Sequence, residues 1–443
     1  MRNPLSFIGM AIATAMAMLF LALLLLEWFG YLTNPYIGLL LFVAVPVVFI
    51  AGLLMVPLGA WRTARRRRRH PDIPVEWPVI DLRNPHHRAV AVGVLALTLV
   101  NVLIVSMAAY GGVHYMETAE FCGQVCHATM EPEYAAHQAW PHARVECVQC
   151  HVGSGAGALI ESKVAGTRQL LHVATGRVPT PVPAPVTSMR PARETCEQCH
   201  WPEKFHGDKT RVIREYANDE ANSETVTTLQ IHVGGGSRAL GVGTGIHWHM
   251  NLDNQIEYVA TDSKRETIPY VRFTDREGRV TEFVVAGTGA DVASAPRRRM
   301  DCVDCHSRPA HTFYASPERA VDTAIGSGSL PHDLPFARRE AVAAVGAPYP
   351  DRATALDAIA RRLRNFYGQR AGVDGRLVER AVAESQDLWS RNVFPAMKVT
   401  WGTYPNFLGH VDAPGCFRCH DDEHKTKDGR AISQDCELCH TIQ

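Results

Sequence analysis

The sequence carries no surplus of either charge: 45 Lys and Arg face 45 Asp and Glu across 443 residues. That excludes a globally basic nucleic-acid binder. Glycine (34) and proline (27) are too few and too irregularly placed for a collagen-like or disordered chain. The length supports two or three domains with ample cores.

Charge is also missing locally. Segments 5–28, 37–58 and 89–110 contain no Lys, Arg, Asp or His, and their one acid is Glu27. Each runs to about 20 residues, enough to cross a hydrocarbon core of roughly 30 Å as a helix. The first is long, lacks a small-residue cleavage region and runs directly into the second, which argues against a signal peptide. Residues 1–115 therefore read as a membrane anchor with three transmembrane helices. Arg62 and the run Arg65 to Arg69 follow the second span and mark the cytoplasmic side. The N-terminus is then inside, loop 30–36 outside, and everything beyond Tyr110 outside. Residues 1–115 hold nine basic and four acidic residues, and the remainder 36 and 41. Neutrality is thus a basic collar cancelling an acidic outer region, which a basic patch on a partner would complement.

No cysteine is left over. Cys147-Val-Gln-Cys150-His151, Cys196-Glu-Gln-Cys199-His200, Cys302-Val-Asp-Cys305-His306, Cys416-Phe-Arg-Cys419-His420 and Cys436-Glu-Leu-Cys439-His440 are five C-x-x-C-H motifs, and Cys122-Gly-Gln-Val-Cys126-His127 is a sixth with one extra residue. Two thiols spaced for thioethers, followed by an imidazole placed to ligate iron, are the requirements of covalent haem attachment. Six motifs that use all twelve cysteines exclude a disulfide scaffold and predict six c-type haems. The proximal ligands are His127, His151, His200, His306, His420 and His440. Bis-ligated haems need a second axial group each. The candidates among the surplus histidines are His142, His247, His249, His311, His410 and His424. In a strand, His247 and His249 would face opposite sides, which leaves two readings: they serve two haems, or only one of them ligates.

Between the motifs, Thr180 to Pro191 reads as an extended proline-rich connector. Thr225–Val233, Gln255–Thr261, Tyr270–Asp275 and Arg279–Val285 read as strands, the last two a hairpin turning at Arg276-Glu277-Gly278. Helices are expected from Ser316 to Gly326, Asp351 to Tyr367 and Gly375 to Arg391. The expected architecture is a set of N-terminal transmembrane α-helices plus a multihaem cytochrome c ectodomain, mostly α and irregular with a small β-rich insertion. Its parts are a haem domain at 116–200 (haems 1–3), the insertion at 201–296 and a helical, haem-binding region at 297–443 (haems 4–6).

Phe121-Cys-Gly-Gln-Val-Cys-His-Ala-Thr-Met130, Pro141-His-Ala-Arg-Val-Glu-Cys-Val-Gln-Cys-His151, Arg190-Pro-Ala-Arg-Glu-Thr-Cys-Glu-Gln-Cys-His-Trp-Pro202, Gly245-Ile-His-Trp-His249 and Asp301-Cys-Val-Asp-Cys-His-Ser-Arg-Pro-Ala-His311 carry a resemblance. Trp401-Gly-Thr-Tyr-Pro405 and Pro414-Gly-Cys-Phe-Arg-Cys-His420 extend it. The chain resembles the NapC/NirT/NrfH family of membrane-anchored multihaem quinol dehydrogenases, most closely a larger inner-membrane branch from metal-respiring bacteria. The resemblance implies a bacterial inner-membrane protein with its haem domain in the periplasm. It would oxidise menaquinol or ubiquinol from the membrane pool and pass electrons to periplasmic cytochromes or a terminal reductase. It also implies that the haem nearest the membrane takes a Met just after its motif. Here Met130 follows His127 by three residues rather than two, so either His127 or Met130 ligates the first iron. The family's quinol-site Lys maps to Lys163 and its following acid to Gln169. Glutamine cannot accept a proton, which turns attention to Glu120, with Glu117 and Glu161 as neighbours in sequence. Two other readings stand beside quinol oxidation: an electron-conduit subunit of a larger respiratory complex, and a multihaem reductase with an open haem site.

Overall fold

The computed structural model describes residues 3–29, 40–69, 83–125, 127–152, 156–185, 190–201, 205–235 and 245–442. The chain divides into two compact units, Met1–Cys126 and His127–Gln443. The first runs past the expected anchor boundary at 115. Cys126 and loop 30–36 lie outside the described residues.

In the first unit, α1 is Pro4–Trp28, α2 is Val45–Arg69 and α3 is Pro85–Glu117. All three are long and apolar enough to cross a membrane. They outrun the apolar segments because polar flanks continue the helices: α2 extends through the arginine run, and α3 starts earlier, at Pro85. Asn84 caps α3, its side chain accepting from the His86 N–H at 2.9 Å, with Pro85 preset for the first turn. Small residues bring α1 and α2 together. A Cβ on Gly9 would sit 2.7 Å from the Gly52 carbonyl oxygen, and one on Gly52 would sit 2.9 Å from the Ala13 nitrogen. Such close backbone approach is how helices associate where lipid removes the hydrophobic drive. Ser6 Oγ adds a bond to the Val56 carbonyl at 2.9 Å.

The second unit combines helices with two antiparallel sheets. Its strands are β1 Asp208–Tyr216, β2 Glu224–His232, β3 Gln255–Val259, β4 Tyr270–Thr274, β5 Val280–Val285, β6 Arg298–Arg299, β7 His424–Lys425 and β8 His440–Ile442. The sheet orders are β1-β2-β8 and β6-β3-β4-β5-β7. All four expected strands are present. β1 escapes sequence reading because Asp208, Lys209, Arg211, Arg214 and Glu215 break the apolar alternation. The β4–β5 turn holds Gly278 at φ +78° and is tied by the Asp275 carboxylate, which accepts from the Glu277 and Arg279 N–H groups. The insertion expected at 201–296 does not close on itself, since β6, β7 and β8 come from the C-terminal region.

The helices are α4 His127–Gln138, α5 Cys147–His151, α6 Ala156–Ala174, α7 Ala192–Cys196, α8 Ala290–Ser294, α9 Pro317–Gly326, α10 Ala337–Val345, α11 Arg352–Gly368 and α12 Gly375–Asn392. Ser316, Asp351 and Asp374 cap α9, α11 and α12 by accepting from N–H groups two or three residues on. On α12, Val378, Ala381, Val382, Leu388 and Trp389 recur at helical spacing and are buried. With Ile359 and Leu363 of α11 and Val321 and Ile325 of α9 they form the largest core of the unit. The connector after α6 is free of helix and strand over residues 177–185, with 186–189 outside the described residues, and the Val182 carbonyl accepts from Tyr404 Oη at 3.0 Å.

Candidate haem centres

Each described C-x-x-C-H motif closes a single helical turn. The N–H groups of His200, His306 and His420 reach back to the Cys196, Cys302 and Cys416 carbonyls at 2.8, 2.8 and 3.0 Å. Cys147 to His151 is α5 itself. One turn brings residues i, i+3 and i+4 to the same side, so both thiols and the imidazole converge on one cofactor face.

Two imidazoles that share an iron need ring centres roughly 6 Å apart, given metal–nitrogen bonds of about 2 Å. Five motif histidines meet another histidine at that spacing. His151 and His311 are 6.3 Å apart, His200 and His142 6.0 Å, His306 and His247 6.4 Å, His420 and His249 5.8 Å, and His440 and His410 6.2 Å. The second ring nitrogens are held elsewhere. His142, His247, His249 and His420 direct Nδ1 at the Pro309, Val233, Ile246 and Ser433 carbonyls at 3.2, 3.0, 2.8 and 2.8 Å. Such contacts fix the tautomer and leave Nε2 for a metal. Burial holds His151, His247, His249 and His306 below the ordinary imidazole range, in the neutral form that ligates. These residues fit iron between paired rings.

His247 and His249 sit on a 3₁₀ turn, Ile246–Met250, rather than the expected strand. At three residues per turn, rings two apart still diverge, and they meet different motif histidines. His424 is corrected. Its Nε2 meets the Ile268 carbonyl at 2.6 Å and its Nδ1 meets Asp421 Oδ1 at 2.9 Å, in a site 1% exposed. Both nitrogens are engaged, so it is a core residue.

The motifs adjoin one another in chain order. Cys150 lies close enough to Cys196 and Cys199 to feel their charge, and the Cys196 and Cys302 thiols are hydrogen-bonded. Cys305 neighbours Cys416 and Cys419, and Cys439 neighbours Cys416. Asp304, inside the fourth motif, is a buried hub that sequence reading missed. Its carboxylate accepts from Tyr258 Oη at 2.8 Å, Arg298 Nε at 2.9 Å, Arg265 Nη1 at 3.1 Å and the Asp301 N–H at 2.8 Å.

Met130 stands one turn beyond His127 on α4, half-buried. Lys163, half-buried, and Gln169, exposed, lie on α6. At about 100° per residue they are about 120° apart and share no face. Glu120 belongs to the first unit and is exposed.

The sequence model of the NapC/NirT cytochrome c family, N-terminal region, matches residues 84–183. The cytochrome c-type protein ImcH of Geobacter sulfurreducens is 42% identical over 450 residues, covering 99% of this chain and 88% of that protein. The chain belongs to the NapC/NirT cytochrome c family. No solved structure matches it. For a NapC/NirT cytochrome, the cofactor is covalently bound haem and the work is electron transfer at a membrane. The family match begins at the Asn84 cap of α3 and ends after the second motif, whereas the likeness to ImcH runs through α1, α2 and all six motifs of this NapC/NirT cytochrome.

Proposed function

We propose that this cytochrome holds six covalent haems, oxidises membrane quinol and delivers the electrons to a periplasmic redox protein. The observation that carries the reading is the set of five histidine pairs at iron-bridging spacing, each built on a separate C-x-x-C-H motif. Haem supplies one-electron chemistry, and the adjacency of successive motifs suits a relay. The protein fixes ring tautomers through the carbonyls behind His142, His247, His249 and His420. His127 or Met130 completes the first site. The arginine run after α2 supports a cytoplasmic N-terminus and a periplasmic haem unit.

At the quinol, Lys163 would orient the hydroxyl and a carboxylate would take its proton, Glu120 being the candidate acid in the first unit, while Gln169 lies on another face of α6. Helix α6 supports a location near lipid. Ile160, Val164 and Leu171 are exposed and fall within about 40° of one another around the helix, with Lys163 at their flank. The rival reductase reading needs an open axial position, and five motif histidines already face a second imidazole.

The test is the full-length protein in lipid nanodiscs. Six haems per chain by pyridine haemochrome, and reduction by menaquinol or ubiquinol that quinone-site inhibitors block, are expected. Absence of quinol reduction would leave the conduit reading. A high-spin ferric signal shifted by nitrite would favour the reductase.

A further inference from the structure

The five histidine pairs differ in what lies behind them. Four rings direct Nδ1 at a neutral backbone carbonyl, whereas His311 directs Nδ1 at a carboxylate, Glu133 Oε2, 2.9 Å away. The buried nitrogen has no hydrogen-bond partner among the described residues, and the Glu133 carboxylate is the acceptor that faces it. Glu133 stands on α4, and its side chain is 12% exposed. The same carboxylate oxygen accepts from Arg308. Arg308 is itself fixed. Its guanidinium lies 4.0 Å over the Tyr404 ring and pairs with Glu133. His311, in turn, stacks with His151 of the second motif at an interplanar angle of 16°.

We propose that Glu133 is a positioning residue that gives the haem between His151 and His311 the lowest reduction potential of the five histidine-paired sites. A carboxylate accepting from Nδ1–H moves electron density onto the imidazole and makes Nε2 a stronger donor. A stronger donor favours ferric over ferrous iron, and axial-ligand basicity is one of the levers by which a protein sets haem potential. A carbonyl accepts the same proton without a full negative charge, so the other pairs receive less of this effect. Arg308 limits the charge and keeps the carboxylate aimed at the ring. The inference rests on haem being seated between these two histidines.

The test is a spectroelectrochemical titration of the full-length protein and its Glu133→Gln variant. One wave, the lowest of the low-spin set, should move to higher potential while the others stay in place. Glu133→Asp should restore most of the difference. Arg308→Gln, which leaves the carboxylate uncompensated, should move the same wave the other way, and it provides a second measurement if Glu133→Gln assembles poorly. Unchanged waves, a uniform shift of all of them, or an upward shift with Arg308→Gln would overturn the proposal. The reading beneath it fails separately: His311→Ala would then leave every low-spin signal intact.

Discussion

At the scale of single residues, chemistry that is local in the chain is legible and chemistry that depends on distant partners is not. The twelve cysteines and their following histidines announce themselves because thioether attachment needs them within one turn. The second ligands do not. His311 lies five residues after His306, yet it meets His151, and His424 looks equally well placed after His420 while both its nitrogens are spent on Ile268 and Asp421. Asp304 gives no sign at all, since it occupies a variable position of its motif and its partners Arg265 and Tyr258 come from another strand and loop. Its side chain is 1% exposed. Replacing it with alanine strands two arginines and a tyrosine, a class of change that costs about 3–5 kcal/mol. We expect Asp304→Ala to lower the thermal midpoint and to yield fewer than six haems per chain by mass, with the deficit at Cys302 and Cys305.

At the scale of elements, periodicity located three helices and four strands to within a few residues, because each buries one face, while the membrane helices run past their apolar segments into polar flanks. Short elements carry no such signal. The turn Ile246–Met250 holds two histidines for two motifs, and its position depends on the Val233 carbonyl, which accepts from the His247 N–H at 3.1 Å. His247→Ala and His249→Ala should each convert one haem from low to high spin, and a different one in each variant. The double variant should convert two. Electron paramagnetic resonance counts them, and a single substitution that removes two low-spin centres would contradict the division.

At the scale of the whole molecule, the ring planes sort the sites. His306–His247, His151–His311 and His440–His410 are near parallel at 9°, 16° and 26°, whereas His200–His142 and His420–His249 are crossed at 64° and 80°. The angle between axial imidazole planes sets the anisotropy of low-spin ferric haem. The oxidised protein should therefore show two families of low-spin resonance in a three-to-two ratio, apart from the first site. One homogeneous family would mean that the rings reorient.

The closing of the sheets has a consequence in time. Leu229 of β2 pairs with Ile442 of β8, and Val285 of β5 with His424 of β7. Ribosomes make the chain from its beginning, so β5 and β2 each stand with an unpaired edge until β7 and β8 have emerged. An unpaired edge invites the wrong neighbour. His440 lies within β8, so docking of that strand also fixes the last residue of the final motif. Thioether formation at Cys436 and Cys439 is best accomplished before then, which makes the segment that carries the final motif also the latch of the first sheet.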